Sequence, residues 1–116
     1  MNKVVTRRFL ILVVALIAAA GSIGTQAIAG DLAAGKAKAE EACQVCHGMD
    51  GQATIPMAAN LTGQQKEYLV AQLEAYRKDK RRHEQMNIIA KMLSDDDIEN
   101  VSEWYSSIKI TIEMPN

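Results

Sequence analysis

The chain has 116 residues, of which 4% are aromatic, so it fits one small domain with few large side chains for a core. Residues 30–116 hold 10 Lys and Arg against 14 Asp and Glu, a net charge of −4 that argues against nucleic acid as a partner. The two cysteines are too few for a disulfide framework.

Residues 1–29 have the pattern of a secretory signal peptide. Basic residues come first, an uninterrupted apolar run covers 9–20, and Ala27-Ile28-Ala29 forms a small-x-small cleavage site. This pattern predicts export to the periplasm and a mature domain of residues 30–116. Arg7-Arg8 also resembles a twin-arginine signal, but general secretion is the favoured export route. The alternative is an uncleaved segment that anchors the domain to the membrane.

The first predicted helix runs from Asp31 to Cys46, with Asp31 as its N-cap. Its small and apolar positions recur at steps of three and four residues, as on one face of an amphipathic helix. These positions are Leu32, Gly35, Ala39, Ala42 and Cys46.

The helix ends in Cys43-Gln44-Val45-Cys46-His47, the C-x-x-C-H pattern of covalent c-type haem attachment. Two thiols three positions apart lie on one helical turn, so both can reach the vinyl groups of one porphyrin. His47 then lies under the ring, where its imidazole can bind the iron as proximal ligand. A redox-active dithiol or another metal site is the rival interpretation. A haem would also supply the core that the composition lacks.

Two further helices are predicted after this motif. Residues 48–63 lack periodicity and are interpreted as a loop, 65–77 as a helix, and 78–93 as mostly irregular chain. Ser94 and Asp97 resemble a capping box that opens the last helix. The apolar face of that helix comprises Ile98, Val101, Tyr105 and Ile108.

The ordered motifs resemble those of class I cytochromes c over the whole of residues 30–116. They are Cys43-x-x-Cys46-His47-Gly48, Asp50-Gly51, Leu61-Thr62-Gly63-Gln64 and Tyr68-Leu69-x-x-Gln72-Leu73. The chain looks most similar to the short bacterial monohaem type related to the cytochrome c553 and c4 domains. The resemblance implies an all-α fold with crossing N- and C-terminal helices, and a haem enclosed by loops and a middle helix.

The same resemblance assigns positions within that fold. Gly35 matches the small residue at the helix crossing, with Trp104 or Tyr105 as its aromatic partner. The carbonyl that would accept a hydrogen bond from the proximal imidazole is expected within residues 56–59. Ala59 stands at the commonest family position, whereas Pro56 is the only proline of the loop.

Met86 is the predicted sixth iron ligand, because it stands eight residues before Ser94-Asp95, the spacing that this group of cytochromes uses. A thioether opposite histidine raises the reduction potential. Met92 is the other candidate in this loop, although its place before Leu93 indicates core packing. His83 is expected to be solvated, with bis-histidine ligation as its alternative, and an open sixth position also remains possible.

Five basic residues fall within six positions of an otherwise acidic domain. They are interpreted as a solvated helix end, where cations suit the helix dipole. The alternative is a docking patch for an acidic redox partner beside the haem edge. The five are Arg77, Lys78, Lys80, Arg81 and Arg82.

Together these features predict a periplasmic one-electron carrier with one haem c, attached through Cys43 and Cys46 and ligated by His47 and Met86. No catalytic constellation remains, so the protein is expected not to be an enzyme. Its partners are expected to be redox proteins, and it is either a monomer or a subunit of a redox complex. One alternative is an electron-accepting subunit of a sulfur-compound or flavin dehydrogenase. The other is a haem-based ligand sensor.

Overall fold

The computed structural model describes residues 30–116, which contain five helices and no strand, so the predicted all-α fold is confirmed. The expected signal peptide lies outside the described residues. Among those residues, no helix is long and apolar enough to span a membrane. The helices are α1 (Leu32–Ala42), α2 (Gln44–His47), α3 (Lys66–Arg77), α4 (Glu84–Met92) and α5 (Asp95–Ser107).

The first and last long helices, α1 and α5, cross at Gly35, as the resemblance implied. A Cβ atom on Gly35 would collide with the backbone oxygen of Asn100 and would lie 3.1 Å from Cβ of Trp104. Asp31 caps α1 through hydrogen bonds from the Ala33 and Ala34 amides, and its own N–H donates to Asn100 Oδ1 at 2.7 Å. The absence of a side chain at residue 35 therefore permits the close approach of the two helices.

We expect Gly35→Ala to destabilise the protein although alanine is the better helix former. Intrinsic propensity alone would stabilise the helix by about 1 kcal/mol, whereas forcing an atom into a packed crossing costs about 1–3 kcal/mol. Thermal unfolding of the haem-loaded protein measures the balance. The matched control is Ala37→Gly at an exposed position of α1, which reports propensity alone. A Gly35→Ala variant that is as stable as the wild type would contradict the tight crossing.

Both aromatic candidates for the crossing hold α5 against the segment that follows the cysteine motif. Trp104 Nε1 donates to the Met49 carbonyl at 3.1 Å, and the Tyr105 hydroxyl donates to the Gly48 carbonyl at 2.9 Å. Tyr105 is 2% exposed and packs with Ala39 and Leu69, so it belongs to the core. Trp104 is therefore the aromatic partner of Gly35 at the helix crossing, whereas Tyr105 packs in the core.

The first helix is shorter than predicted, because the ladder breaks at Cys43. Cys43 has φ −117° and ψ −34°, and its carbonyl accepts from the amides of Cys46 and His47 at 3.2 and 3.0 Å. The cysteine motif thus starts a separate turn, α2, rather than continuing α1.

The prediction that residues 78–93 are mostly irregular was wrong, because Glu84–Met92 forms α4. His83 caps this helix, with Nδ1 accepting from the Met86 amide at 3.3 Å. Its inward-facing row, Met86, Ile89 and Ala90, recurs at helical steps and continues to Leu93, whereas Ile88 is 60% exposed. The exposed apolar residues Ile88 and Met92, and the highly charged run before the helix, made this row hard to recognise in the sequence.

The last helix begins as predicted. Ser94 Oγ accepts from the Asp97 amide at 3.0 Å, and Asp97 Oδ2 accepts from the Ser94 amide at 3.0 Å, which completes the capping box. The hydrogen bond from the Ser94 backbone lowers the pKa of Asp97, so this cap persists into mildly acidic solution. Of the predicted apolar face, Ile98, Val101 and Tyr105 are buried, and Ile108 lies half-buried just beyond the helix.

Candidate functional site

A cavity of about 620 Å³ lies between the cysteine-bearing turn and α3, α4 and α5. Its wall includes all four predicted site residues: Cys43, Cys46, His47 and Met86. These residues are separated by as many as 43 positions in the chain but face one space. The fold therefore brings together the side chains that the motif and the resemblance had singled out.

The two cysteines lie half-buried on the cavity wall and are not joined by a disulfide. Burial raises the pKa of the Cys43 thiol to about 11. Reactive dithiols have the opposite property, since their thiol pKa is lowered so that a thiolate forms near neutral pH. The environment of Cys43 therefore argues against the rival interpretation as a redox-active dithiol.

His47 is oriented by a hydrogen bond to the loop that follows it. Nδ1 lies 2.8 Å from the Ala59 carbonyl oxygen, and because a carbonyl can only accept, Nδ1 carries the proton. In the neutral ring the other nitrogen, Nε2, then carries no proton and can bind a metal through its lone pair, as in many metal-bound histidines. The acceptor expected within residues 56–59 is thus Ala59, the family position.

The loop that supplies this carbonyl is fixed by backbone contacts rather than by regular structure. Gly51 has φ +76°, and its carbonyl accepts from the Leu61 amide at 2.7 Å. The Thr54 amide donates to the Cys46 carbonyl at 2.9 Å, and the Thr62 hydroxyl donates to the Asp50 carbonyl. A positive φ at position 51 suits glycine. The backbone turns there, and the loop closes on itself through the hydrogen bond between Gly51 and Leu61.

Met86 lies in the first turn of α4, half-buried on the cavity wall. The neighbouring residue Asn87 fixes this turn with its side-chain amide. Asn87 Nδ2 donates to the carbonyls of Tyr76 and Arg81 at 2.7 and 2.8 Å, and Oδ1 accepts from the His83 amide at 2.6 Å. Met86 is thus held against α3 through its neighbour, a contribution that the sequence pattern did not reveal.

The expectation that Met92 packs in the core was wrong. Met92 is 75% exposed, and the next residue, Leu93, is buried with 6% exposure. Met92 does not line the cavity, whereas Met57 and Met86 do. Met57 stands two residues before Ala59, whose carbonyl holds His47, so it belongs to the loop that supports the imidazole.

His83 is half-buried and lines the cavity, so the expectation of a solvated side chain was wrong. Its ring meets Tyr76 edge-on, with centroids 6.4 Å apart. Its Nδ1 is engaged by the Met86 amide at 3.3 Å. The residue therefore serves α4 as a cap and packs beside the cavity.

The basic run of residues 77–82 divides into residues with distinct roles. Arg77 pairs with Asp95 at 2.6 Å, and Lys78 pairs with Glu74 at 2.5 Å, which agrees with the interpretation as a helix end. Lys80, Arg81 and Arg82 are all exposed, and of the three only Arg81 also lines the cavity. The run is therefore not one uniform docking patch.

The cavity suits a porphyrin attached to the cysteine turn. Its lining is largely apolar, it has room for a large planar group, and both thiols and the imidazole stand on the same wall. Ser102 Oγ is buried on this wall with no hydrogen-bond partner among residues 30–116. Unpartnered buried hydroxyls are rare in folded proteins, so this wall is shaped to face another group. The fold and the site together define a small haem-attaching domain of the c type.

The family model described as Cytochrome c matches residues 32–109, and the chain belongs to the cytochrome c family. Proteins of this family are electron carriers with a covalently bound haem. Cytochrome c-554(548) of Halomonas halodenitrificans is 44% identical over 82 residues, which cover 68% of this chain and 98% of that protein. Because the match covers nearly all of that relative, it agrees with assignment of this chain to the class I monohaem type.

Other relatives are longer than this chain. Cytochrome c4 of Pseudomonas aeruginosa is 36% identical over 103 residues, which cover 89% of this chain but 51% of that protein. The crystal structure of reduced recombinant cytochrome c4 from Pseudomonas stutzeri superimposes with a TM-score of 0.63 at 33% identity, over 70% of this chain and 47% of that chain. The chain thus spans about half the length of these cytochrome c4 relatives.

A partial match has a more specific description. The protein named thiosulfate dehydrogenase electron acceptor, from Stutzerimonas stutzeri, is 35% identical over 69 residues. These residues cover 57% of this chain and 32% of that protein. The likeness is confined to about a third of the longer protein.

Proposed function

We propose that residues 30–116 form a periplasmic one-electron carrier with one haem c, tethered through Cys43 and Cys46 and ligated by His47 and Met86. The observation that carries the proposal is the convergence of these four side chains on one cavity. The haem supplies a centre that gains and loses a single electron.

The protein residues hold and shield this centre. The thiols would fix the haem to the turn of residues 43–47, and the Ala59 carbonyl keeps the His47 ring in one tautomer. Met86 presents a neutral, soft sulfur from the α4 side, where Asn87 holds the backbone. Apolar residues such as Leu69, Leu93 and Val101 exclude water from the cavity wall. A rigid, dry site keeps reorganisation small on electron transfer.

We expect the double variant Cys43→Ala, Cys46→Ala to lose covalent haem completely, because both attachment bonds are removed. Haem staining after denaturing gel electrophoresis checks this. Each single variant keeps one attachment bond and should give intermediate staining. The control Ser106→Ala changes a half-buried residue outside the cavity and should stain as the wild type. Haem that leaves the wild-type polypeptide on acid–organic extraction would contradict covalent attachment.

The proposed compartment depends on residues 1–29, which we interpret as a signal peptide cleaved before Gly30. Mass spectrometry of the protein from a periplasmic extract should give a mature chain that starts at Gly30 and carries the mass of one haem. A membrane-bound chain that retains residues 1–29 would support the anchored alternative.

A second candidate is a subunit that accepts electrons from a periplasmic oxidoreductase. The likeness to the thiosulfate dehydrogenase electron acceptor favours it. Copurification from native extract discriminates the two: a free carrier elutes as a small protein, and a subunit elutes with a dehydrogenase.

A further inference from the structure

The segment that follows α5 alternates strictly between apolar and polar side chains. In residues 108–114, which we call the alternating segment, Ile108, Ile110, Ile112 and Met114 alternate with Lys109, Thr111 and Glu113. A period of two is typical of a β-strand with one covered face, and isoleucine and threonine favour strands. In the structure, residues 108–116 belong to no helix or strand, and no backbone hydrogen bond joins 109–116 to any other part of residues 30–116. The segment therefore has the pattern of a strand but no strand partner among those residues.

The apolar face of the alternating segment is anchored at its first residues and exposed beyond them. Ile108 is partly buried and packs against the core. Ile110 is 50% exposed and rests on Gly63, where a Cβ atom would lie 2.6 Å from Ile110 Cδ1. Ile112 and Met114 are 73% and 80% exposed. Two large apolar side chains on one face of the segment thus lie open to a partner.

We propose that two copies of this chain associate by pairing their alternating segments as an antiparallel two-stranded ribbon centred on Thr111. The charges of the segment specify this arrangement. A twofold axis at Thr111 places Lys109 opposite Glu113 of the second copy, twice in each dimer. On the other face it places Ile110 opposite Ile112 of the second copy. Opposite charges and β-branched side chains are both favourable directly across antiparallel strands. The pairing uses no haem-binding residue, so it is independent of the proposed function.

Other alignments of two such segments lose these contacts. A parallel pair in register would set Lys109 beside Lys109 and Glu113 beside Glu113, and like charges at such positions are destabilising. A shift of one residue in the antiparallel pair would set the apolar face of one strand beside the polar residues of the other. A shift of two residues would place Lys109 opposite Thr111 or Pro115. One alignment therefore satisfies both faces of the ribbon.

The ends of the alternating segment agree with this alignment. α5 ends at Ser107, and on the other side Pro115 lacks the N–H that a further strand residue would donate. Both positions lie at the same distance in sequence from Thr111, so each helix end would lie opposite the proline of the other copy. An isolated two-stranded ribbon is marginally stable in water. Here Ile108 and Ile110 hold each strand against its own domain, which supports the ribbon at both ends.

Sedimentation velocity of the holoprotein over a wide range of concentrations tests the proposal, because a species of twice the single-chain mass should appear as the concentration rises. Lys109→Glu replaces two attractive contacts in each dimer by two repulsive ones, so the dissociation constant should rise by about tenfold or more. Glu113→Lys should have the same effect. An equimolar mixture of the two variants should recover association, because every glutamate then faces a lysine. The matched control is Lys36→Glu, the same charge change at an exposed position of α1, which should leave the dissociation constant unchanged.

A wild-type protein that sediments as a single chain at every concentration would overturn the proposal. A dimer that neither charge reversal weakens would also overturn it, since the two copies would then meet through another surface. Failure of the mixture to recover association would contradict the antiparallel alignment. Binding of the alternating segment to the sheet edge of a different protein, without self-association, would refute the second copy as its partner. An unchanged visible absorption spectrum of each variant shows that any loss of the dimer is not a loss of the folded domain.

Discussion

Met86→Ala should abolish the sulfur-to-iron charge-transfer band of the oxidised protein, lower the reduction potential and allow carbon monoxide to bind the reduced protein rapidly. A thioether opposite histidine stabilises ferrous iron, so its removal favours the ferric state and leaves a coordination position open. Met86 is half-buried on the cavity wall in a turn held by Asn87, so its loss leaves a gap beside the iron site. Optical spectra, redox titration and stopped-flow ligand binding measure the three effects.

The matched control is Met92→Ala, which removes the same side chain six residues later on the same helix. Because Met92 is 75% exposed and outside the cavity, the free energy of unfolding should change by at most about 0.5 kcal/mol. The charge-transfer band should remain. A band that survives Met86→Ala but disappears in Met92→Ala would move the ligand to Met92. A band unaffected by either change would assign the sulfur to another methionine, such as Met57 on the cavity wall. A band absent from the wild type would favour a ligand sensor.

His83 requires its own control, since it lies on the cavity wall three residues before Met86. In Met86→Ala it could replace the lost sulfur and keep the iron closed. His83→Asn removes the imidazole but supplies another residue suited to cap a helix. In the wild-type background this change should leave the band intact. In the Met86→Ala background it should restore rapid carbon monoxide binding if His83 had closed the site.

Local patterns predicted the parts of the fold that depend on local chemistry. The capping box of Ser94 and Asp97 is specified by a few residue types at fixed positions, whereas the close approach at Gly35 was implied by the family resemblance. The cysteine motif likewise needs only its own turn to place two thiols on one wall. Each of these features depends on a steric fit or a hydrogen bond, either within a short stretch of chain or at a single contact.

The parts that sequence patterns missed depend on the cavity. Helix α4 packs on α3 and turns the row Met86, Ile89 and Ala90 inward, with Met86 and Ile89 on the cavity wall, but the exposed apolar residues Ile88 and Met92 obscured that row in the sequence. Leu93, and not Met92, continues the row into the core. The Asn87 contacts join backbone carbonyls of α3 and the following turn, and a carbonyl acceptor has no signature in the amino-acid sequence. For the carbonyl that accepts the hydrogen bond from His47, the family resemblance gave only the range 56–59, which includes Ala59.

The haem-free chain is expected to lack stable tertiary structure. Among residues 30–116 the buried hydrophobic residues are few, and two of them are alanines: Ala39, Leu69, Ala90, Leu93, Ile98, Val101 and Tyr105. Four of them, Leu69, Leu93, Val101 and Tyr105, line the cavity of about 620 Å³. At about 24 cal/mol per Å³, an empty rigid cavity of this size would cost roughly 15 kcal/mol, an upper limit because water enters an open cleft. Small domains have only about 5–15 kcal/mol of stability in total.

Circular dichroism and amide NMR of residues 30–116, expressed without haem maturation, measure this expectation against the holoprotein. We expect partial helicity without a cooperative thermal transition, and poorly dispersed amide resonances. α1 and α5 should retain the most helix, because their contacts at Gly35 and Asn100 do not involve the cavity. Gly35→Ala should then reduce the residual helicity of the haem-free chain, whereas Met86→Ala should leave it unchanged. Sharp cooperative unfolding with dispersed resonances would show that the protein core is sufficient without haem, and that the cavity is a binding site in an independently stable fold.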